Sequence, residues 1–291
     1  MTIKLPAEIF GKPYQYITKE DIENIKENPP MCPFTNNQCS KVSRELEKSK
    51  FLGINIPFGV CTVLYNRRPI IICPQRFYYN NYHLLKTVGE DFLGSSPELI
   101  PEVTIKGFGN VDWIAYVKRE DGDIDFVGIE IQADSTTSTG KLVKAFSDFL
   151  KMGRFAQRSY NFGMNTYNTV KLSYTQLLNK GQIFQEWKVP YIWIIQDVLF
   201  DYILDKFNLS IGYGEDSDIY GALTKSEDRR PEDYIIFAVI EMNLDSTKQM
   251  YMLNLKGYYS SNISNLMRAY QRKDLPTLSE FKEVLRKRLS L

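Results

Sequence analysis

The spacing of apolar residues along the chain predicts a succession of helices and strands. Thr18 caps a short helix in "TKEDIENIKEN", and residues 58–65 and 69–73 have the composition of two strands. The stretch "FYYNNYHLLKTVGEDFL" is typical of a helix that ends near Gly94, and "PEVTIKG" is typical of a strand. Two apolar runs around the polar turn "EDGD" then predict a β-hairpin over residues 109–134.

The second half of the chain continues this alternation. Apolar residues at helical spacing, such as Leu142, Phe146 and Phe149, predict a long helix over residues 135–160, and another helix is expected over about 170–187. Strands are expected in "VPYIWIIQ", "YIIFAVIEMNL" and "KQMYMLNLKGYY", and helices in "DVLFDYILDKF" and "TLSEFKEVLRKRLSL". This order predicts an α/β fold in which helices flank a mixed central sheet.

The composition is that of a globular protein, with 43% hydrophobic and 24% charged residues. The chain has no run of about 18 apolar residues, so no transmembrane helix and no membrane partner is expected. The first residues lack an apolar signal core, and we expect a cytoplasmic protein. His83 is the single histidine, which argues against metal sites built on several histidines. The net charge of +1 gives no general attraction to nucleic acid, but it allows a basic cleft.

All four cysteines lie in the first quarter of the chain: Cys32, Cys39, Cys61 and Cys73. In a cytosolic protein, clustered cysteines are more often metal ligands or free thiols than disulfides. Four thiolates suit zinc, a single iron or an iron–sulfur cluster. The alternative is four small buried side chains, since free cysteine packs well in a core. The segment around Cys32 and Cys39 is rich in loops, which favours a structural metal site.

The register of the predicted hairpin decides which residues share a face. A two-residue turn would place Asp112 opposite Ile131, on the side away from Glu130 and Gln132. A three-residue loop pairs Trp113 with Ile131 and makes one face wholly apolar. The apolar pattern favours the loop, or another register with the same faces. We therefore expect Asp112 opposite Gln132, with Glu130 one diagonal step away.

Two carboxylates on one face are suited to binding a hard cation. Asp112 and Glu130 would repel each other unless a cation lies between them, and oxygen ligands of this kind suit Mg²⁺. The backbone carbonyl of Ile131 is a third possible ligand. The alternative is that Glu130 and Gln132 are solvent-facing residues of an edge strand, which fits poorly with the apolar surroundings "FVGIEI".

These residues resemble a known family. Asp at the start of one strand, followed by Glu-x-Lys on the next strand and then a helix, is the pattern of the PD-(D/E)xK nucleases. Here the pattern is Asp112 followed by Glu130-Ile131-Gln132, with glutamine at the lysine position. Together with leading cysteines in "CPF", "GVC" and "ICPQRF", the chain over about residues 30–160 resembles the NotI family of type II restriction endonucleases.

The resemblance implies a restriction-endonuclease-like core over residues 77–291, with a C-terminal extension, preceded by a four-cysteine metal-binding module over residues 1–76. In that module, structural iron, or alternatively zinc, would be held by Cys32, Cys39, Cys61 and Cys73. Asp112 and Glu130 would bind the catalytic Mg²⁺, and Gln132 would orient the attacking water. A homodimer would then hydrolyse double-stranded DNA at a specific, palindromic sequence and leave 5′-phosphates.

The missing lysine leaves two questions open. Lys141 and Lys144, at the start of the next helix, could supply the positive charge, although a solvated helix face is the simpler interpretation. A repair or mobile-element nuclease with the same core is one rival hypothesis. A DNA-binding protein with the same cysteine module and a degenerate acidic site is the other.

Overall fold

The computed structural model describes residues 3–28, 30–41, 57–212, 222–225, 229–270 and 277–289. The helices are α1 Lys19–Glu27, α2 Tyr79–Leu93, α3 Thr139–Met152, α4 Thr166–Trp187, α5 Asp197–Phe207, α6 Ile263–Tyr270 and α7 Leu278–Leu289. The strands are β1 Lys4–Ile9, β2 Lys12–Pro13, β3 Val60–Tyr65, β4 Arg68–Ile71, β5 Glu98–Ile105, β6 Gly109–Lys118, β7 Ile124–Gln132, β8 Thr136–Thr137, β9 Gly163–Met164, β10 Tyr191–Gln196, β11 Ser210–Gly212, β12 Ala222–Lys225, β13 Ile235–Asp245 and β14 Met250–Ser261.

The largest sheet is mixed, as the sequence predicts. Its strands lie in the order β11-β12-β14-β13-β10-β7-β6-β5. Strands β5, β6 and β7 form an antiparallel meander, and β10 runs parallel to both β7 and β13. Parallel strands are usually covered on both faces, which explains why β10 is apolar and buried over nearly its whole length.

Helices cover both faces of this sheet. On one face, α2 packs with Leu85 and Val88 against inward side chains of β6, β7 and β10. On the other face, α4 and α5 pack with Leu177 and Phe200 against alternate residues of β10 and β13. Side chains of a strand alternate between the faces, so Trp193 and Ile194 belong to different halves of the core. The α4 face holds the site described below.

A second sheet, in the order β2-β1-β3-β4, is built from the first part of the chain. Its apolar side chains share one core cluster with Phe146 and Phe149 of α3. A buried ion pair between Glu8 of β1 and Arg76 adds a polar link, with Nε to Oε2 at 3.0 Å. The Arg76 guanidinium also donates to the carbonyl of Tyr251 in β14, so it ties both sheets together.

Most predicted elements are present, and the helix predicted over residues 135–160 is shorter than expected. It ends at Met152 because Gly153 adopts a left-handed conformation (φ +66°), and the Gly153 N–H closes the last turn on Phe149. The predicted cap at Thr18 of α1 is confirmed. Thr277 caps α7 in a similar way, and its backbone N–H donates to Glu280 at 2.6 Å. Among the described helices, none combines the length and the hydropathy needed to cross a membrane.

Candidate functional site

The hairpin of β6 and β7 sets the position of the candidate acidic residues. Trp113 pairs with Ile129, so the predicted pairing of Trp113 with Ile131 is wrong by two residues. The Arg119 N–H donates to the Asp123 carbonyl at 2.8 Å, which leaves a three-residue loop ending at Gly122. Gly122 has a φ of +88°, and this loop type requires a left-handed residue at its third position. The loop therefore starts one residue earlier than expected.

A shift of two residues keeps every side chain on its predicted face. Continuing the register by one step places Asp112 opposite Glu130, where the sequence predicted Gln132. The Ile131 N–H donates to Asp112 Oδ2 at 3.0 Å, and the Asp112 and Glu130 carboxyls are close enough to interact directly. Their predicted shared face is confirmed.

The edge-strand alternative does not describe Glu130 and Gln132. β7 lies inside the sheet, between β6 and β10. Trp193 of β10 pairs with Glu130, and Ile195 pairs with Gln132. The Glu130 side chain is only 12% exposed. A carboxylate at this depth needs a compensating partner.

Lys180 of α4 provides that partner. Its Nζ lies 2.6 Å from Glu130 Oε1 and also donates to the carbonyl oxygen of Asn110. Its side chain is 8% exposed. The charge of Lys180 also acts on Asp112. The site therefore contains two carboxyl groups and one ammonium group.

Burial dominates the electrostatics of these groups. It raises the pKa of the Asp112 carboxyl, against the Ile131 N–H and the Lys180 charge, which oppose the rise. Burial, followed by the charge of Asp112, also raises the pKa of Glu130 although Lys180 lowers it. Burial and then the Glu130 charge raise the pKa of the neighbouring Tyr191 hydroxyl, which has no hydrogen bond of normal geometry. A cation added beside the carboxyl pair would offset these penalties.

Gln132 lines a small cavity with both polar and apolar walls. The cavity has a volume of about 10 Å³, enough for roughly one water molecule, and its polar lining includes Glu130, Gln132, Ser173 and Gln176. The Gln132 amide nitrogen donates to the carbonyl oxygen of Ala133 at 2.6 Å, which fixes the side chain. An amide oxygen held in this way can accept a hydrogen bond from water.

Lys141 and Lys144 are not among the groups that contact the carboxyl pair. Both side chains are exposed on α3, and Lys144 Nζ lies 3.2 Å from Asp148 Oδ2. The simpler interpretation, a solvated helix face, fits both. The lysine that sequence reasoning missed is Lys180, and its signal was a charge within the buried stripe of α4.

The four cysteines come together in space. Cys32, Cys61 and Cys73 pack with Phe34 in one buried cluster. Cys39 is half-buried and lies within electrostatic range of Cys32 and Cys73. All four are free thiols.

Polar groups also lie beside the thiols. Cys32 Sγ donates to Gln75 Oε1 at 3.3 Å, and the Lys41 ammonium donates to the carbonyls of Val60 and Ile72. Burial raises the pKa of Cys61 and Cys73, and Lys41 opposes this rise. Within the described residues, no three or more His, Cys, Asp or Glu side chains are arranged to hold a metal ion. The sulfur donors suit a thiophilic ion in kind, but the four sulfurs would have to move closer together to share one.

Comparison with known proteins adds nothing to this description. No protein-family model matches the chain, and no curated protein has significant similarity to it. Any functional conclusion therefore depends on the geometry of the site.

Proposed function

We propose that this protein is a Mg²⁺-dependent endonuclease that hydrolyses double-stranded DNA at a specific sequence, in the manner of type II restriction endonucleases. The observation that carries the proposal is the meeting of Asp112 and Glu130 at the same end of adjacent strands, on one face. The sequence Glu130-Ile131-Gln132 then leads into helices, as in the PD-(D/E)xK pattern.

The residues fit Mg²⁺ in chemistry and number. Mg²⁺ is usually held by one or two carboxylates and keeps several waters, so Asp112 and Glu130 would suffice, with the Ile131 carbonyl as a further oxygen ligand. When bound, Mg²⁺ would polarise a phosphoryl oxygen and favour ionisation of water. Gln132, at its small cavity, would orient the attacking water through its amide oxygen. In-line attack at phosphorus would leave a 5′-phosphate.

We further propose that the converging cysteines hold a structural iron, with zinc as the alternative. The support is their convergence around Cys73 as free thiols. Binding would deprotonate the thiols and draw the sulfurs together. Elemental analysis with a visible absorption spectrum tests this proposal. Protein that is purified without bound metal, and in which all four thiols titrate, would overturn it.

A homodimer would place one site on each DNA strand of a palindrome. The described surface offers an apolar groove of about 780 Å³ beside the hairpin, and its exposed side chains include Ile100, Phe108, Ile124 and Trp187. A groove lined by several exposed apolar side chains is a candidate interaction site. We assign the groove to contact with a second copy of the chain.

Helix α7 of that second copy is the proposed occupant. The helix is exposed along its described length, and Leu278, Phe281 and Leu285 form an apolar stripe at helical spacing. Its last turn carries Arg286, Lys287 and Arg288, whereas the hairpin loop beside the groove is acidic in "EDGD". Apolar and charged surfaces therefore match between the two elements.

Cleavage of plasmid DNA tests the proposed activity directly. We expect discrete fragments in the presence of Mg²⁺, and loss of cleavage in Asp112→Ala and in Glu130→Ala, because each variant removes a proposed metal ligand. Asp125→Asn is the matched control, since this carboxylate lies on the exposed part of the hairpin and pairs with Arg119.

The outcomes separate the alternatives. Full cleavage by both alanine variants would contradict the proposed site. Sequence-specific binding without Mg²⁺-dependent cleavage in the wild type would favour the degenerate DNA-binding protein. Cleavage at mismatches, or without sequence preference, would favour a repair or mobile-element nuclease.

A further inference from the structure

Lys180 is a charged residue in the middle of the buried face of α4. It follows buried Leu177 by three residues and precedes buried Phe184 by four, a spacing at which a core helix normally carries apolar side chains. Burying an ammonium group is costly unless it is paired and hydrogen-bonded. Its partners are the Glu130 carboxylate and the Asn110 carbonyl.

Lys180 supplies the positive charge that the glutamine at position 132 cannot. A lysine at position 132 would have placed a positive charge beside the carboxyl pair from β7. Here the charge reaches Glu130 from α4, on the same face of the sheet. Lysine carries a compact charge on a flexible four-carbon chain with three donors, so its ammonium can exchange partners without movement of the helix.

We propose that Lys180 is the catalytic cation of this site and that it exchanges between two partners. In the metal-free protein it neutralises Glu130. When Mg²⁺ occupies the carboxyl pair, the ammonium is released from Glu130 and donates to a non-bridging oxygen of the scissile phosphate. The ammonium group then stabilises the negative charge that develops at phosphorus. This inference rests on the proposed nuclease function and adds a residue to it.

The rival explanation is that Lys180 is a structural brace between α4 and the sheet. The two explanations predict opposite effects on metal binding. A brace keeps Glu130 in position, so its loss should weaken Mg²⁺ binding together with stability. A cation that competes with the metal should, when lost, leave Glu130 free to bind Mg²⁺ more tightly.

The test compares Lys180→Met and Lys180→Arg with wild type in full-length protein. Calorimetric titration measures Mg²⁺ affinity, and single-turnover cleavage at saturating Mg²⁺ measures the chemical step. We expect Lys180→Met to bind Mg²⁺ more tightly and to cleave about 100-fold or more slowly, as when one transition-state donor is removed. Lys180→Arg should recover part of the rate. Lys144→Met is the matched control, because that lysine lies on the exposed face of α3.

Two results would overturn the inference. One is a cleavage rate for Lys180→Met close to that of the wild type. The other is a parallel loss of Mg²⁺ affinity, rate and thermal stability that Lys180→Arg does not reverse. A wild-type protein that neither binds Mg²⁺ nor cleaves DNA would instead refute the proposed function itself.

A measurement on the wild type covers the case in which Lys180→Met does not fold. Amine-specific acetylation followed by mass spectrometry reports how accessible each lysine is. Addition of Mg²⁺ should raise the labelling of Lys180, because the ammonium leaves Glu130, while Lys144 stays unchanged. Labelling of Lys180 that does not respond to Mg²⁺ contradicts the exchange.

Discussion

At the scale of single residues, the site consists of two buried carboxyl groups and one buried ammonium group. Asp112 and Glu130 bring two carboxyl groups to a place where burial opposes ionisation, and Lys180 compensates only part of their charge. Such an arrangement lowers the free energy of unfolding but is suited to binding a cation. It is therefore more typical of a functional site than of a core.

Asp112→Asn should separate stability from function. Asparagine keeps a side-chain oxygen for the Ile131 N–H but removes the charge. Because the pKa of Asp112 is raised, its ionised form destabilises the fold at neutral pH. The substitution should therefore increase the free energy of unfolding there, by about 0.5–2 kcal/mol, while it abolishes cleavage.

The pH dependence gives the check. Burial raises the pKa of Asp112 in the folded protein above its value in the unfolded chain. The stability that goes with the protonated carboxyl is therefore fully present below the unfolded-state pKa. It is lost as pH rises through the folded-state pKa. The advantage of Asp112→Asn, measured by thermal unfolding, should consequently shrink as pH falls and Asp112 becomes protonated. An advantage that grows on acidification would contradict this account.

Sequence reasoning identified the carboxylates but not their cation. Asp112 and Glu130 are conspicuous because they interrupt apolar strands, and alternation places them on one face. Lys180 lies 50 residues after Glu130 in the chain, so no local pattern pairs them. Only the packing of α4 on β7 brings the two together.

At the scale of elements, local turn chemistry decided the details that the apolar pattern left open. The pattern gave the correct faces of the hairpin, but Gly122 determined where its loop lies. Gly153 similarly ended α3 before the predicted residue. β1 was missed because "KLPAEIF" contains a proline and a buried glutamate, both of which are unusual in a strand.

The buried glutamate of β1 leads to a prediction about stability. Glu8 and Arg76 are almost fully buried, and the Thr62 hydroxyl also donates to the Glu8 carboxylate. Arg76→Met would leave that carboxylate without its charge partner, so unfolding should become easier by about 3–5 kcal/mol. Denaturant unfolding measures this effect.

A double variant serves as the control for that prediction. Glu8→Leu combined with Arg76→Met removes both charges, and it should recover much of the lost stability because no isolated charge remains. If the single and double variants were equally unstable, packing of the arginine side chain rather than its charge would explain the loss.

At the scale of the whole molecule, the groove beside the hairpin predicts self-association. In light-scattering measurements the wild type should have twice the 33.9 kDa mass of one chain. Phe108→Glu should give monomers, because it places a charge in the apolar groove. Leu172→Glu is the control, since this leucine is also exposed but lies outside the groove. A monomeric wild type would contradict the proposed dimer.

The strands and helices of the molecule were largely predictable from sequence, whereas the way in which they pack against each other was not. Long apolar runs such as "YIWIIQ" identify strands that are buried on both faces. The packing of the small sheet on Phe146 and Phe149 joins segments far apart in the chain, and no periodicity encodes that contact. The boundary near residue 76 stays a prediction.

The central position of β10 also governs how quickly the protein can reach its native state. Both neighbours of β10 run parallel to it, so each pairing brings together segments that are far apart in the chain. The conformational entropy lost in closing such a long loop must be lost before the strand's hydrogen bonds can compensate for it. Trp193 meets Glu130 only when this strand is inserted. Formation of the site is thus expected to be a slow, late event in refolding, with tryptophan fluorescence as its natural reporter.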